Sequence, residues 1–207
     1  MKSLYVFLAG FLVFSLISYA QTEKELLLDS FEGELNSRTV DFGAGDDSLI
    51  EVDASTELKV CGAQSMKIKY DLKPGGYIWI VRRDEADKSK SKKEGNIWLV
   101  NPRKIDWEKY DALSLQMYGR KSNAIITFGI KDVKGEIWRF IILDDFKGWK
   151  EVVCPFSQFY AHRGQQPQNA EFNKILDFPI KSFLIEPNIP GEGVYYFDCV
   201  KLIKVEK

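Results

Sequence analysis

Leu28-Asp29-Ser30-Phe31-Glu32-Gly33 near the start and Tyr196-Phe197-Asp198-Cys199-Val200-Lys201-Leu202 near the end decide how this chain is read. Each is a strand-like apolar stretch with a carboxylate inside it. Burying an acid in such a run costs several kcal/mol unless something pairs with it. One such run sits at each end of a chain of many strands. First and last strands are therefore expected to meet, with a cation shared between their acids.

Between these ends, long helical periodicity is absent. Short alternating runs are bounded by Gly, Pro, Asn and Asp. Strands are expected near 25–31, 48–53, 65–71, 77–82, 96–100, 111–119, 124–131, 136–143, 149–154, 181–186 and 194–203. Turns at Pro74-Gly75-Gly76, Lys134-Gly135, Lys147-Gly148 and Pro190-Gly191 separate them. The fold class is all-β, a sandwich or jelly roll of two antiparallel sheets. Leu113, Leu115 and Met117 share one face of their strand; Ile126, Phe128 and Ile130 share another, as do Trp138, Phe140 and Ile142. The opposite faces carry Gln116, Tyr118, Thr127, Lys131 and Arg139, expected together on one sheet. Residues 83–95 read as a solvated charge run. Residues 160–179 form a long amide-rich loop, of a length that is usually functional or disordered.

The first twenty residues stand apart. Lys2, the apolar run Leu4 to Ile17 and the small-x-small site Ser18-Tyr19-Ala20 form a secretory signal peptide. The expected products are a single domain over 21–207 and a secreted or periplasmic location. The apolar run is short of the roughly 20 residues that a membrane span needs. The 29 basic and 30 acidic residues balance, which argues against a nucleic-acid partner. Three cysteines, Cys61, Cys154 and Cys199, allow at most one disulfide. No pair is chosen by sequence. Cys154 and Cys199 lie in strands and suit buried apolar thiols slightly better than a bridge.

Four phrases together resemble carbohydrate-binding module family 11, one of the galactose-binding-like, calcium-containing β-jelly rolls. They are Leu28–Gly33, Asp106-Trp107-Glu108-Lys109-Tyr110-Asp111-Ala112-Leu113, the run from Gly148-Trp149 through Cys154-Pro155-Phe156 to Phe159, and Phe197–Leu202. The resemblance implies a non-catalytic domain that binds β-glucan chains in a cleft, with structural calcium. Glu32 and Asp198 match the family's calcium ligands, and carboxylates suit that hard cation. Asp29 and Asp53 are further candidate ligands.

Sugar binding needs aromatic rings against pyranose faces and planar polar groups for paired hydroxyls. Tyr77 and Trp79 share one alternating face, and Gln116, Tyr118, Arg139 and Glu186 supply the rest. His162 and Arg163 fall in the segment where the family carries cleft residues. There the sequence departs from the family: His162-Arg163-Gly164-Gln165 lacks its carboxylate and ring. Lys181 and Pro187 stand where a cleft Asp and Tyr are expected.

The expected function is therefore a secreted carbohydrate-binding domain for β-glucan-type polysaccharide. A protein-interaction or assembly module of the same fold, with another secreted protein as partner, is the alternative. An enzyme would need two facing carboxylates. Glu136 with Glu186 or with Asp144 can be named, but no pair is recognisable, and His162 is the one histidine.

Overall fold

The expected meeting of first and last strands is present. In the computed structural model, which describes residues 24–84 and 97–205, β1 (Glu25–Asp29) runs antiparallel to β11 (Gly191–Ile203). Leu26 faces Leu202, and Glu25 faces Ile203. The segment read as a signal peptide and nearly all of the 83–95 charge run lie outside the described residues.

Among the described residues, eleven strands form two antiparallel sheets. The six-stranded sheet runs β3 (Leu49–Ser55), β4 (Ser65–Leu72), β11, β6 (Ala112–Arg120), β9 (Lys147–Pro155), with β1 also on β11. The five-stranded sheet runs β2 (Asp41–Gly45), β5 (Tyr77–Arg83), β10 (Ser182–Pro187), β7 (Ile125–Lys131), β8 (Ile137–Leu143). The alternating residues behave as read. Leu113, Leu115 and Met117 of β6 and Ile126, Phe128 and Ile130 of β7 are buried in one core between the sheets. Burying each such side chain contributes about 1.5–3 kcal/mol.

β11 is long enough to serve two partners along one edge. β4 pairs with it from Gly191 to Phe197, and β1 takes over from Val200. Between them its register against β6 shifts, and Cys199 adopts φ +48°. This bulge re-aims the chain where the ladder changes partner. It carries Asp198 and Cys199 to the loop ahead of β4.

Four expectations are corrected. Gln116 and Tyr118 do not share a sheet with Thr127, Lys131 and Arg139: β6 belongs to the six-stranded sheet, β7 and β8 to the other. The chain crosses between sheets at residues 121–124, where Lys121 and Asn123 adopt positive φ. Alternation reports inward against outward, not which sheet. Second, β2 was not anticipated, because Asp41-Phe42-Gly43-Ala44-Gly45 is poor in strand formers. Its glycines are needed for space. The Trp79 ring lies over Gly43 and the Tyr77 ring over Gly45, each within 2.4 Å of where a Cβ would sit. Third, 97–100 is bent rather than a strand. Its apolar character reflects Trp98, buried and stacked on Phe183 at 4.2 Å. Fourth, Cys199 is not a free thiol: it bonds Cys61, 138 residues away. Cys154 is the buried free cysteine, and burial pushes its thiol far up from the ordinary range.

Candidate functional site

The outer face of the five-stranded sheet carries a groove of about 390 Å³. Its floor follows from register. Glu186 on β10 faces Thr127 on β7, and Thr127 faces Ile141 on β8. Arg139, two residues back on β8, faces Gly129. Its guanidinium meets Glu186 of β10, with Nε 3.4 Å from Glu186 Oε2. Arg139 is 9% exposed, and its Nη1 has no hydrogen-bond partner. Asn188 donates to the Thr127 hydroxyl at the same floor.

Two exposed tyrosines flank this polar floor. Tyr77 stands on β5, stacked on Trp79 at 5.8 Å. Tyr160 lies beyond β8, where it exchanges both backbone hydrogen bonds with Arg139 (2.8 and 3.0 Å). Three strands, β10, β7 and β8, lie between them. The 160–179 loop owes its place to Gln166. Its side-chain amide accepts from the Ile137 N–H at 2.7 Å and donates to the Ile137 carbonyl at 2.8 Å, copying a strand partner along the edge of β8.

Of the eight sugar candidates, the groove brings together Tyr77, Arg139 and Glu186. Trp79 borders it, its ring laid flat on β2. Gln116 and Tyr118 lie on the other sheet, where Tyr118 packs edge-on against Trp149 and Tyr196. His162 and Arg163 are exposed in the loop and do not line the groove, whereas Gln165 does. Sequence reasoning missed Tyr160, Gln165 and Asn188. An aromatic directly after the Phe159 phrase was the one available signal. Glu136 and Asp144 do not face Glu186 across the groove. Asp144 is buried and accepts from the backbone of Arg120, Lys121 and Ser122 and from the Tyr195 hydroxyl.

The four metal candidates also separate. Asp29 is spoken for: Arg82 clamps it through Nε at 2.8 Å and Nη2 at 3.2 Å, and the Phe31 N–H bonds it at 2.8 Å. Asp53 is exposed on β3 opposite Lys67. Glu32 and Asp198 converge on the 60–64 loop. Asp198 accepts from the N–H groups of Val60 (2.7 Å), Cys61 (2.9 Å) and Cys199 (2.8 Å). Glu32 accepts from those of Ala63 (2.8 Å) and Gln64 (3.2 Å). Burial pushes the Asp198 carboxyl above the usual range, the three amides pull it back, and the Glu32 charge pushes it up again. Gln64 also donates to the carbonyls of Phe31 and Gly33, so two more oxygens stand at this corner. An oxygen-rich corner with two mutually repelling carboxylates fits a hard cation such as calcium.

Known structures share this architecture. The family 11 module of the cellulosomal cellulase Lic26A-Cel5E from Clostridium thermocellum superposes with a TM-score of 0.64 at 23% identity, covering 88% of this chain and 96% of that one. The family 11 module from the same organism in complex with a β-1,3-1,4-mixed-linked tetrasaccharide gives 0.65 at 23% identity, covering 88% and 97%. A β-1,2-glucanase from Parabacteroides distasonis gives 0.56 at 14% identity, covering 81% of this chain and 23% of that one. At these identities the likeness shows the fold. No curated protein matches by sequence. The model of the carbohydrate binding domain (family 11) matches residues 18–204, nearly the whole sequence. With that match and the sandwich it accompanies, the chain belongs to family 11 of the carbohydrate-binding domains.

Proposed function

We propose that this is an exported, non-catalytic domain that holds a β-linked glucan chain across the five-stranded sheet. The observation that carries this reading is Arg139, nearly buried on the groove floor with Nη1 unsatisfied. A buried donor without a partner is costly, and a sugar hydroxyl would satisfy it. Glu186 adds an acceptor; Thr127, Asn188 and Gln165 both donate and accept. Tyr77 and Tyr160 offer ring faces to pyranoses. The mixed-linked tetrasaccharide bound by the Clostridium thermocellum module supports a β-glucan as the ligand class. Among the described residues lining the groove, Glu186 is the single carboxylate, and Arg139 holds it. A glycosidase of the common type needs two. Export is supported by the signal-peptide pattern and by a disulfide suited to an oxidising compartment.

Binding is equilibrium capture in a shallow groove, with Kd on the order of micromolar or weaker, because a small contact repays little of the association cost. Titration calorimetry with the mixed-linked tetrasaccharide, and electrophoresis through gels holding mixed-linkage glucan, xyloglucan or xylan, test it. Tyr77→Ala and Arg139→Ala should each weaken binding about tenfold or more, roughly 1.4 kcal/mol. Tyr118→Ala, on the other sheet, should leave it unchanged. Retardation that Tyr118→Ala abolishes and Arg139→Ala spares would refute the groove assignment. No retardation in any gel would favour a protein partner.

Calcium belongs to the same proposal. Glu32 and Asp198 would hold it, and its charge would offset their repulsion and fasten the 60–64 loop to β11. Excess chelator should then lower Tm, since an ion bound only to the folded state stabilises it. An unchanged melt, with Glu32→Gln as stable as the parent, would count against it.

A further inference from the structure

The groove on the five-stranded sheet is not polar throughout. Glu186, Thr127, Asn188 and Arg139 supply hydrogen-bonding groups on its floor. Alternation along β8 sends Ile141 and Leu143 to the same outer face as Arg139, while Ile142 between them is buried in the core. Ile141 is 44% exposed and Leu143 48%. Ile125 of β7 is partly buried and lines the groove. It faces Leu143 across the ladder, as Thr127 faces Ile141. Three branched aliphatic side chains therefore form one corner of a groove that is otherwise rich in donors and acceptors. Exposed apolar residues scattered singly need no explanation, but adjoining ones rimmed by polar groups mark a binding surface.

None of the three can hydrogen-bond, and Thr127 beside them already accepts from Asn188. A glycan chain that runs from Tyr77 to Tyr160 crosses β8 just before it reaches Tyr160. A bare hydroxyl set down on this corner would lose its water and gain no partner. A methyl group there would instead be favoured, because apolar surface leaves water on both sides. The corner spans one strand spacing by two residues of rise, about 4.8 Å by 6.7 Å. That suits a group of a few carbons, whereas a stable protein contact covers about 800 Å² on each side.

We propose that the corner formed by Ile125, Ile141 and Leu143 receives an O-acetyl group carried by the glycan, so that the groove prefers an acetylated β-linked chain to a bare one. This rests on the reading of the groove as a glucan site. Acetylation removes the hydroxyl's donor and puts a methyl in its place. The ester carbonyl that remains is an acceptor, and Arg139, Asn188 and Gln165 supply donors in the same groove.

Titration calorimetry compares the mixed-linked tetrasaccharide with its mono-O-acetyl derivatives, prepared as separate positional isomers on the terminal units. At least one isomer should bind about fourfold tighter than the bare sugar, the gain expected for burying one methyl. Ile141→Thr and Leu143→Thr should each abolish that gain and change the affinity for the bare sugar by less than about twofold. Threonine suits an exposed strand position, so both variants should melt as the parent does. Arg139→Ala should weaken bare and acetylated sugars alike. Bare sugar that binds, with no isomer binding tighter, overturns the acetyl preference and leaves the glucan site standing. A gain that both threonine variants keep intact also overturns it. Failure of bare and acetylated sugars alike to bind overturns the glucan reading itself, and the acetyl preference with it.

Discussion

Replacing Cys61 and Cys199 together by alanine is expected to lower stability by about 5 kcal/mol. The bond joins residues 138 apart, so it closes most of the described chain into one loop. Chain entropy lost by the unfolded state grows with the logarithm of loop length, and a loop of this size sits near the top of the usual range. For a domain of this size each kcal/mol moves Tm by roughly 2–4 °C, so the melt should fall by about 10–20 °C. Calorimetry with and without reductant measures the same quantity in the unaltered protein. Cys154→Ala is the control: it removes a small buried side chain without touching the bond. A loss below about 1 kcal/mol for the double variant would mean that the 56–64 loop and β11 hold each other without it.

Breaking the Asp29–Arg82 pair ranks second. Asp29 ends β1 in one sheet and Arg82 lies on β5 in the other, so the pair spans the interior. Both side chains are at most 4% exposed. The guanidinium also donates to the Thr39 carbonyl at 3.2 Å and lies over the Phe31 ring. Asp29→Ala leaves a buried cation unmatched and should cost about 3–5 kcal/mol in urea denaturation. Arg82→Ala should cost the same. The double variant Asp29→Leu, Arg82→Met should recover most of the loss, since an apolar pair of similar volume is often neutral. Single variants within 1 kcal/mol of the parent would show that water reaches the pair.

These two contacts also mark where sequence stopped being informative. The pattern in Leu113, Leu115 and Met117 told inside from outside, and the structure agrees. It could not tell which sheet, so Tyr118 and Arg139 were placed together although the chain crosses sheets between them. Asp29 in an apolar run rightly demanded a partner; that the partner is Arg82 was invisible, because the packing of one sheet on the other brings together residues 53 apart without leaving a trace in spacing. The same demand plus a family pattern singled out Glu32 and Asp198, and the structure brings both to the 60–64 loop. Tyr160, Gln165 and Asn188 were not, because loop residues follow no period and reach the groove only through register and the Gln166 clamp. Gly43 and Gly45 read as strand breakers, yet they make room for rings.

The pairing of Glu25 with Ile203, continued by the Lys204 N–H to the Lys24 carbonyl at 2.9 Å, has a practical corollary. The chain enters and leaves the sandwich at a single point. Residues 24–205 can therefore be grafted as a cassette into a surface turn of a host protein with only short spacers, because the host backbone would be parted by little more than one strand spacing, about 4.8 Å.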